Sequence, residues 1–374
     1  MLKAVFWGST VLLAYTHAGY PALLWLLDSA RSATPAEPPS DGDLPYVSLI
    51  VAAHDEEDVI AARVANARAL DYPRGRLEIV VASDGSADST VERARAAGAD
   101  SVLDLPRGGK VRAQDEAVER SRGELLAFSD ANSAWAPDAL GRLVRVLEDP
   151  SVGYVCGEVR FAGGGGANQE GVYWRYENAI RARESRLGGV TAGNGAIYAV
   201  RRADYMRLDP RTSHDLSFPF NMVRRGRRAL YEPRARATEE MAPTLEGEFR
   251  RKRRMMRHAW PTVLGGGLLS PRGYPPAYVL EVASHRLLRY ASPALHLAVL
   301  GSSVVLARRG RIYAGALAAQ LVVLAAAAAA PLAPSRALRL ARYYVLVTAA
   351  LGAGLWDHLH EGTPTSWERE EETR

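Results

Sequence analysis

Cysteine is almost missing from this chain: Cys156 is the single thiol among 374 residues. That excludes a disulfide framework and any cysteine-built zinc site. No Gly-x-Gly-x-x-Gly follows either of the first two apolar runs, so the phosphate cradle of a dinucleotide-dependent oxidoreductase is absent. Basic residues are abundant, with a net charge of +5, but they are not interleaved with aromatics and carry no nucleic-acid fold signature. Nucleic acid is therefore not expected as a partner. The long apolar segments hold no acids, which argues against a transporter. No internal repeat is present.

What the chain does have is apolar length. Residues Ala4 to Leu27 carry no formal charge, and about 20 such residues span a bilayer. A signal peptide needs a shorter apolar core and a clear small-x-small cleavage site, and neither is convincing here, so residues 1–30 read as a retained transmembrane anchor. Ile312–Ser335 is a second long uncharged run and Tyr290–Ala307 a third, borderline in length. Tyr343–Trp356 is shorter and fits a span, a re-entrant segment or an interfacial helix. Arg31 and the arginine-rich middle favour a multi-pass protein of the cell membrane with a cytoplasmic middle region. Arg308, Arg309 and Arg311 break that rule if Tyr290–Ala307 crosses fully. The expected organisation is an anchor (1–30), a Pro/Ser/Asp/Gly linker (31–45), a folded domain (46–260), an interfacial segment (261–289), membrane-associated helices (290–357) and a polar tail (358–374).

Within the domain, strand and helix signals alternate. Tyr46–Ala53, Leu77–Ala82, Ser101–Leu105 and Glu124–Ser129 read as apolar strands. Glu56–Leu70, a segment from Ser86/Asp88 to Ala97, Lys110–Ser121 and Pro137–Glu148 read as helices between and after them. The alternation predicts an α/β domain, Rossmann-like, with a mostly parallel sheet covered by helices. Further on, Gly153–Phe161 and Gly195–Val200 read as strands. Gln169–Leu187, His214–Arg225 and the strongly basic Glu246–Trp260 read as helices, and Gly163–Gly166 is a glycine run.

Three acids stand at informative places. Asp84 lies in Val-Val-Ala-Ser-Asp-Gly-Ser-Ala-Asp (80–88), Asp130 in Leu-Leu-Ala-Phe-Ser-Asp-Ala-Asn (125–132) and Asp215 in Ser-His-Asp-Leu (213–216). The first two end apolar strands, the edge where open α/β sheets bind ligands. Acids with little thiol or imidazole suit a hard divalent cation, Mg2+ or Mn2+, carrying phosphates. Each acid also has a local alternative: an Asx turn for Asp84, a strand-end turn for Asp130, a helix N-cap for Asp215.

The ordered set of motifs resembles the family-2 glycosyltransferases, in particular the membrane-integrated, cellulose-synthase-like branch with a GT-A fold, over about residues 46–260. Val51-Ala-Ala-His-Asp-Glu-Glu57 resembles the family's first strand, with Asp55 in place of Asn. Ser83-Asp-Gly-Ser-Ala-Asp88 resembles the Asp-Asp-Gly-Ser-x-Asp turn, and Gly109-Lys110 the Gly-Lys before the next helix. Asp130-Ala-Asn132 stands at the Asp-x-Asp position, and His214-Asp215 at the Glu/Asp-Asp position. The resemblance implies a nucleotide-sugar donor, with UDP as nucleotide, and a glycan or lipid acceptor at the membrane. Ala53, Asp55, Glu56, Asp84, Lys110, Asp130, Arg254 and Arg257 are then expected on the donor, with Asp130 and Asn132 holding the metal. Asp215 is expected as the general base, giving inversion, and Gly193, Asn194, Gly195 and Trp174 are expected on the acceptor.

The run Phe249-Arg-Arg-Lys-Arg-Arg-Met-Met-Arg-His-Ala-Trp260 reads either as a basic helix on an anionic membrane or as a donor of arginines to the diphosphate. It lacks the Gln-x-x-Arg-Trp of processive synthases, so transfer of one or a few sugars is as consistent as polymerisation. The substitutions Asp55, Asn132 and His214 leave a second functional class open: a catalytically reduced nucleotide-sugar-binding scaffold working with partner proteins of a polysaccharide pathway.

Overall fold

The structure is a computed structural model that describes residues 1–30, 44–162, 169–240, 245–333 and 335–365. Most of the expected linker (31–43), the 163–166 glycine run and the tail beyond 365 lie outside the described residues.

Strands β1 (Val47–Ala53), β2 (Leu77–Asp84), β3 (Ser101–Leu105), β4 (Leu125–Asp130), β5 (Ala134–Trp135), β6 (Val152–Ala162), β7 (Tyr198–Arg201) and β8 (Arg228–Glu240) form one sheet. Its order is β3-β2-β1-β4-β7-β6-β8-β5. The half from β3 to β4 is all parallel, and β6 and β8 also pair in parallel; β7 and β5 run antiparallel to their neighbours. Successive side chains of a strand point to opposite faces. Thus Ile50, Val80 and Phe128 enter a core shared with Ala113, Ala117 and Phe218. Their neighbours Leu49, Ile79 and Ala127 enter a second core under Leu140 and Leu143. Burial on both faces explains why β1 and β2 read as nearly unbroken apolar runs.

The register aligns the strand ends. Ala53 pairs with Ser83, and Ala52 with Asp130. The chain lays β2 and β3 on one side of β1, then crosses to place β4 on the other, so the order reverses at the β1/β4 crevice. Ligands bind at such a switch point. Because β7 is antiparallel to β4, the residues just before it, Gly193–Ile197, arrive at the same edge.

Two differences from the sequence reading concern the sheet. β7 begins at Tyr198, not Gly195. β8 was not legible as a strand: its alternation Arg234-Ala-Arg-Ala-Thr buries only the small Ala235 and Ala237, and Pro233 interrupts it. The register against β6 shifts beside that proline, as a missing N–H requires in a strand.

Three helices, Leu2–Ser29, Pro276–Arg309 and Arg311–Ala329, are long and apolar enough to cross a membrane. The stretch 276–289, expected to be interfacial, is instead the first part of the helix that continues through the expected span Tyr290–Ala307. Phe6 packs on Val299 and Leu306, while Tyr20 and Leu24 pack on Ile180 of the helix Gln169–Leu187. The first helix therefore touches both the second membrane-type helix and the α/β domain. Trp7, Val11, Leu297, Val304, Leu321 and Val322 leave apolar surface exposed on all three, more than a water-soluble surface favours. Tyr343–Trp356 belongs to a longer helix, Arg336–Glu361, that lies along the basic helix Leu245–Leu264.

Candidate active site

A cavity of about 680 Å³ opens at the β1/β4 edge. Glu56, Lys110, Asp130 and Asn132 line one part; Gly193, Asn194, Gly195, Asp215, Trp174 and Arg254 line the rest. The structure thus gathers residues up to 198 positions apart (Glu56 to Arg254) around one space. Ala53, Asp55, Asp84 and Arg257 lie outside its lining. A second depression, about 510 Å³, sits near the start of β4 around Glu124 and Arg201 and holds none of the expected site residues.

Asp130 ends β4 and projects its carboxylate toward the Lys110 ammonium, at the start of the helix Lys110–Arg120, with which it is ion-paired. Gly195 closes over this pair: a Cβ there would lie 3.1 Å from Lys110 Nζ and 3.4 Å from Asp130 Oδ2. Glu239, near the end of β8, also lines the cavity and binds the Ser133 hydroxyl. Burial and the nearby Asp130 push its carboxyl above the usual range. Asp130 and Glu239 line one cavity with Asn132, and oxygen donors of this kind fit a hard cation. Among the described residues no cluster of three or more His, Cys, Asp or Glu side chains is arranged to hold a metal. Asp130, Asn132 and Glu239 are the lining residues that would hold such a cation. Diphosphate and water complete such a shell for this class of ion.

Asp84 is 3% exposed. Its Oδ1 accepts the backbone N–H groups of Gly108 and Gly109 at 2.7 and 3.0 Å, and Arg107 lies 3.6 Å from Oδ2. It braces the turn that starts the Lys110 helix. Asp55 adopts a left-handed φ of 51° and accepts the Ala87 N–H at 2.7 Å, tying the end of β1 to the turn after β2. Left-handed backbone suits Asn and Asp better than other side chains, which accounts for an acid where the family pattern has Asn. Neither residue lines the cavity; each ties together the loops beside it.

On the facing side, Asp215 stands in the first turn of the helix His214–Arg224, whose N-cap is Ser213. Asp215 is thus not the cap, and it forms no ion pair among the described residues. Its backbone carbonyl accepts the Gly193 N–H at 2.7 Å. Asn194 lines the cavity, but its side chain is held by the Gly157 carbonyl at 2.7 Å and the Ile197 N–H at 2.9 Å, fixing the turn. His214 points into the aromatic core, with Nδ1 2.7 Å from the Tyr198 hydroxyl. Burial, helped by Lys110, pushes its pKa down to about 3, so it stays neutral and orients the helix start instead of carrying protons. Trp174 packs at the cavity rim, with Phe161 5.4 Å and Lys252 6.0 Å from its ring.

The arginines of the basic helix divide. Arg254 lines the cavity with Arg251 and Lys252. Arg253 instead makes a two-pronged pair with Asp357 at 2.6 and 2.7 Å, and Arg257 donates to the Gly362 carbonyl at 2.7 Å. Arg257 was expected on the diphosphate; the C-terminal helix holds it away from the cavity. Sequence reasoning also missed Glu239, hidden in an unrecognised strand, Arg181 on the helix Gln169–Leu187, and Arg286 and Arg289, which fell in the expected interfacial segment 261–289; all four line the cavity.

Comparison with known proteins agrees with this architecture. Residues 48–226 match glycosyl transferase family 2. An N-acetylglucosaminyltransferase of Rhizobium meliloti is 28% identical over 281 residues, covering 68% of this chain and 65% of the relative. A beta-monoglucosyldiacylglycerol synthase of Trichormus variabilis is 33% identical over 162 residues, covering 41% of this chain and 34% of the relative. The chain thus spans between a third and two thirds of the length of these relatives. A mannosyltransferase of Pyrobaculum calidifontis, solved with GDP-Man and Mn2+, superimposes with a TM-score of 0.73 at 23% identity, over 96% of this chain and 99% of the other. That likeness extends the shared fold from the α/β domain through the apolar helices at both ends. By its matched domain, its GT-A-type sheet and its motif order, the chain belongs to glycosyl transferase family 2.

Proposed function

We propose that the protein transfers a sugar from a nucleoside diphosphate to an acceptor hydroxyl at a membrane, with inversion and with help from Mg2+ or Mn2+. One observation carries the reading: a single cavity lined both by Lys110-paired Asp130 and by Asp215, which forms no ion pair among the described residues. In the reaction the acceptor oxygen attacks the anomeric carbon while that carbon's bond to the diphosphate oxygen breaks. The nucleoside diphosphate leaves with the bonding electrons, and Asp215 takes the acceptor proton. Attack from the side opposite the leaving group inverts the anomeric centre. A bound divalent cation supplies charge neutralisation at the leaving diphosphate; Asp130, Asn132 and Glu239 are the residues to hold it. Lys110 and Arg254 offer further positive charge to the phosphates.

UDP as the nucleotide rests on Asp84. Both oxygens of that carboxylate already accept N–H groups of the 108–109 turn, so recognising a base by this side chain requires the turn to move. The donor panel therefore pairs UDP sugars with GDP sugars. A membrane location rests on the three apolar helices, and a cytoplasmic catalytic face on the arginine-rich domain between the first and second of them.

The test is release of nucleoside diphosphate by the detergent-purified full chain, with and without Mn2+ or Mg2+, using native membrane extract as acceptor source. Metal-stimulated release from one donor, abolished in Asp215→Asn while nucleotide binding persists, supports the proposal. Tight nucleotide binding with no release from any donor favours the scaffold reading instead.

A further inference from the structure

The cavity does not end at Asp215. Its lining also takes in Met256 of the basic helix, Leu340, Val347 and Leu351 of the helix Arg336–Glu361, and His17 of the first helix. Among the lining residues two guanidinium groups are buried: Arg181 is 3% and Arg286 7% exposed. Arg181 bonds only to neutral groups, the Asn178 amide and the Gly193 carbonyl at 3.4 and 3.2 Å. Its Nε has no hydrogen-bond partner among the described residues, and neither has Arg286 Nη2. Arg286 donates to Thr191 Oγ1 at 2.9 Å and shares Glu177, 3.5 Å away, with Arg289 and His285. Glu177 and Glu184, both buried, stand against Arg286 and Arg289, and Arg181 is left as a buried charge with no ion pair among the described residues, where an unmatched charge is costly.

One short segment fixes where this charge lies. Thr191 holds Arg286, the Gly193 carbonyl holds Arg181, and the Gly193 N–H holds the backbone of Asp215. Both arginines thus stand beside the acid assigned to the acceptor. Arg286 belongs to the helix Pro276–Arg309, one of the three long and apolar enough to cross a membrane. The helices carrying His17 and Arg286 each have a π-helical turn, at Tyr15–Gly19 and Val282–Leu287, linked by a 2.9 Å hydrogen bond between the Tyr15 and Ser284 hydroxyls. Such turns often mark functional sites. They bring His17 and Arg286 to the cavity.

We propose that the acceptor is a membrane lipid whose headgroup carries a phosphate next to the accepting hydroxyl, with Arg181 and Arg286 binding that phosphate. The inference rests on the transferase reading and narrows its acceptor. The phosphate seats the headgroup, the apolar residues of the lining take the acyl chains, and the hydroxyl falls to Asp215. Bidentate guanidinium recognition is the chemistry that two buried arginines with spare N–H groups provide.

The test is a binding measurement that needs no donor sugar. Dioctanoyl-phosphatidylglycerol, dioctanoylglycerol and glycerol 3-phosphate are titrated calorimetrically into the detergent-purified full chain. The phosphate-bearing lipid is expected to bind at least about tenfold tighter than either of the others, the difference expected of a charge-assisted hydrogen bond. In Arg181→Gln, and separately in Arg286→Gln, its advantage over dioctanoylglycerol should fall about tenfold or more. That ratio is taken within one variant, so general loss of folded protein does not imitate it. Equal binding of the two lipids by the wild-type chain overturns the proposal. So does glycerol 3-phosphate binding as tightly as the lipid, which makes this a soluble-phosphate site. If Arg181→Gln weakens UDP or GDP by the same factor as the lipid, the arginine serves the donor diphosphate and the assignment also fails. None of these outcomes depends on donor turnover, so the transferase reading stands or falls separately.

Discussion

An alanine at position 193 would put its Cβ 1.8 Å from the Tyr154 hydroxyl and 2.9 Å from the ring carbon that bears it. No such contact survives, so either the tyrosine or the 193 loop must shift. Tyr154 has little freedom: it is fully buried and stacked on Tyr198 and Phe218, with ring centres 5.6 and 6.4 Å away. Overpacking of this kind costs about 1–3 kcal/mol in stability. If the loop yields instead, it carries the Gly193 N–H that holds the Asp215 backbone. Displacing a catalytic group by about 1 Å lowers turnover by about a hundredfold. Gly193→Ala is therefore expected to leave the protein folded, with kcat reduced by about two orders of magnitude. The clash names its own suppressor. The Tyr154 hydroxyl is buried with no hydrogen-bond partner among the described residues, so Tyr154→Phe alone should be close to neutral. In the Gly193→Ala background it removes the nearest atom but leaves the ring carbon, so recovery should be partial, about tenfold. The assay is a double-mutant cycle on kcat for donor turnover, with thermal melting of all four proteins. Near-normal turnover in Gly193→Ala would falsify the placement of Asp215 by this loop, and a coupling energy below about 0.5 kcal/mol would do the same for the clash.

Three further predictions follow from other parts of the molecule. His214 is neutral in the folded chain, with a pKa pushed from 6.5 down to about 3, while the unfolded chain binds a proton below 6.5. Stability should thus fall as pH drops from 6.5 toward 3, by about 1.4 kcal/mol per unit from this residue; denaturant titrations of His214→Gln should show a shallower acid limb, and identical limbs would refute it. Glu239 has a raised pKa, so its contribution to stability is present at low pH and lost as pH rises through its folded value. Metal-free Glu239→Gln should melt above the wild type at pH 8 but not at pH 4, and should need more Mn2+ for donor release; unchanged metal dependence would make Glu239 a purely structural neighbour of Asp130. At Gly354 a Cβ would stand 2.7 Å from Met256 Cβ and 2.9 Å from the Arg253 carbonyl, so Gly354→Val should prise the C-terminal helix from the basic helix. Accelerated proteolysis of the last 30 or so residues should reveal it, and wild-type resistance would count against that docking.

The chemistry of this protein was written locally, and its sequence determined that much alone. Apolar runs ending in Asp84 and Asp130 read as buried strands with acids at their tips, because a doubly covered strand is filled almost entirely by apolar side chains, polar exceptions such as Ser48 and Glu78 satisfying each other. The helix signals alternating with them required crossovers and hence a mostly parallel sheet. Uncharged stretches of bilayer length marked the apolar helices for the same reason of solvation. Relations between distant segments were decided only by tertiary structure. Arg254 and Arg257 are three residues apart on one helix, yet one meets the cavity and the other the end of the C-terminal helix, since that helix docks on a single face. Asp84 reads like a ligand-binding turn, but packing directs the 108–109 N–H groups onto it. β8 hides because alanines facing a tight core need no large apolar side chain, and Glu239 hides with it. Arg181 and Arg286 look like ordinary surface arginines until three helices and the 191–193 segment close around them, and burial, which no local pattern encodes, gives their charge its significance.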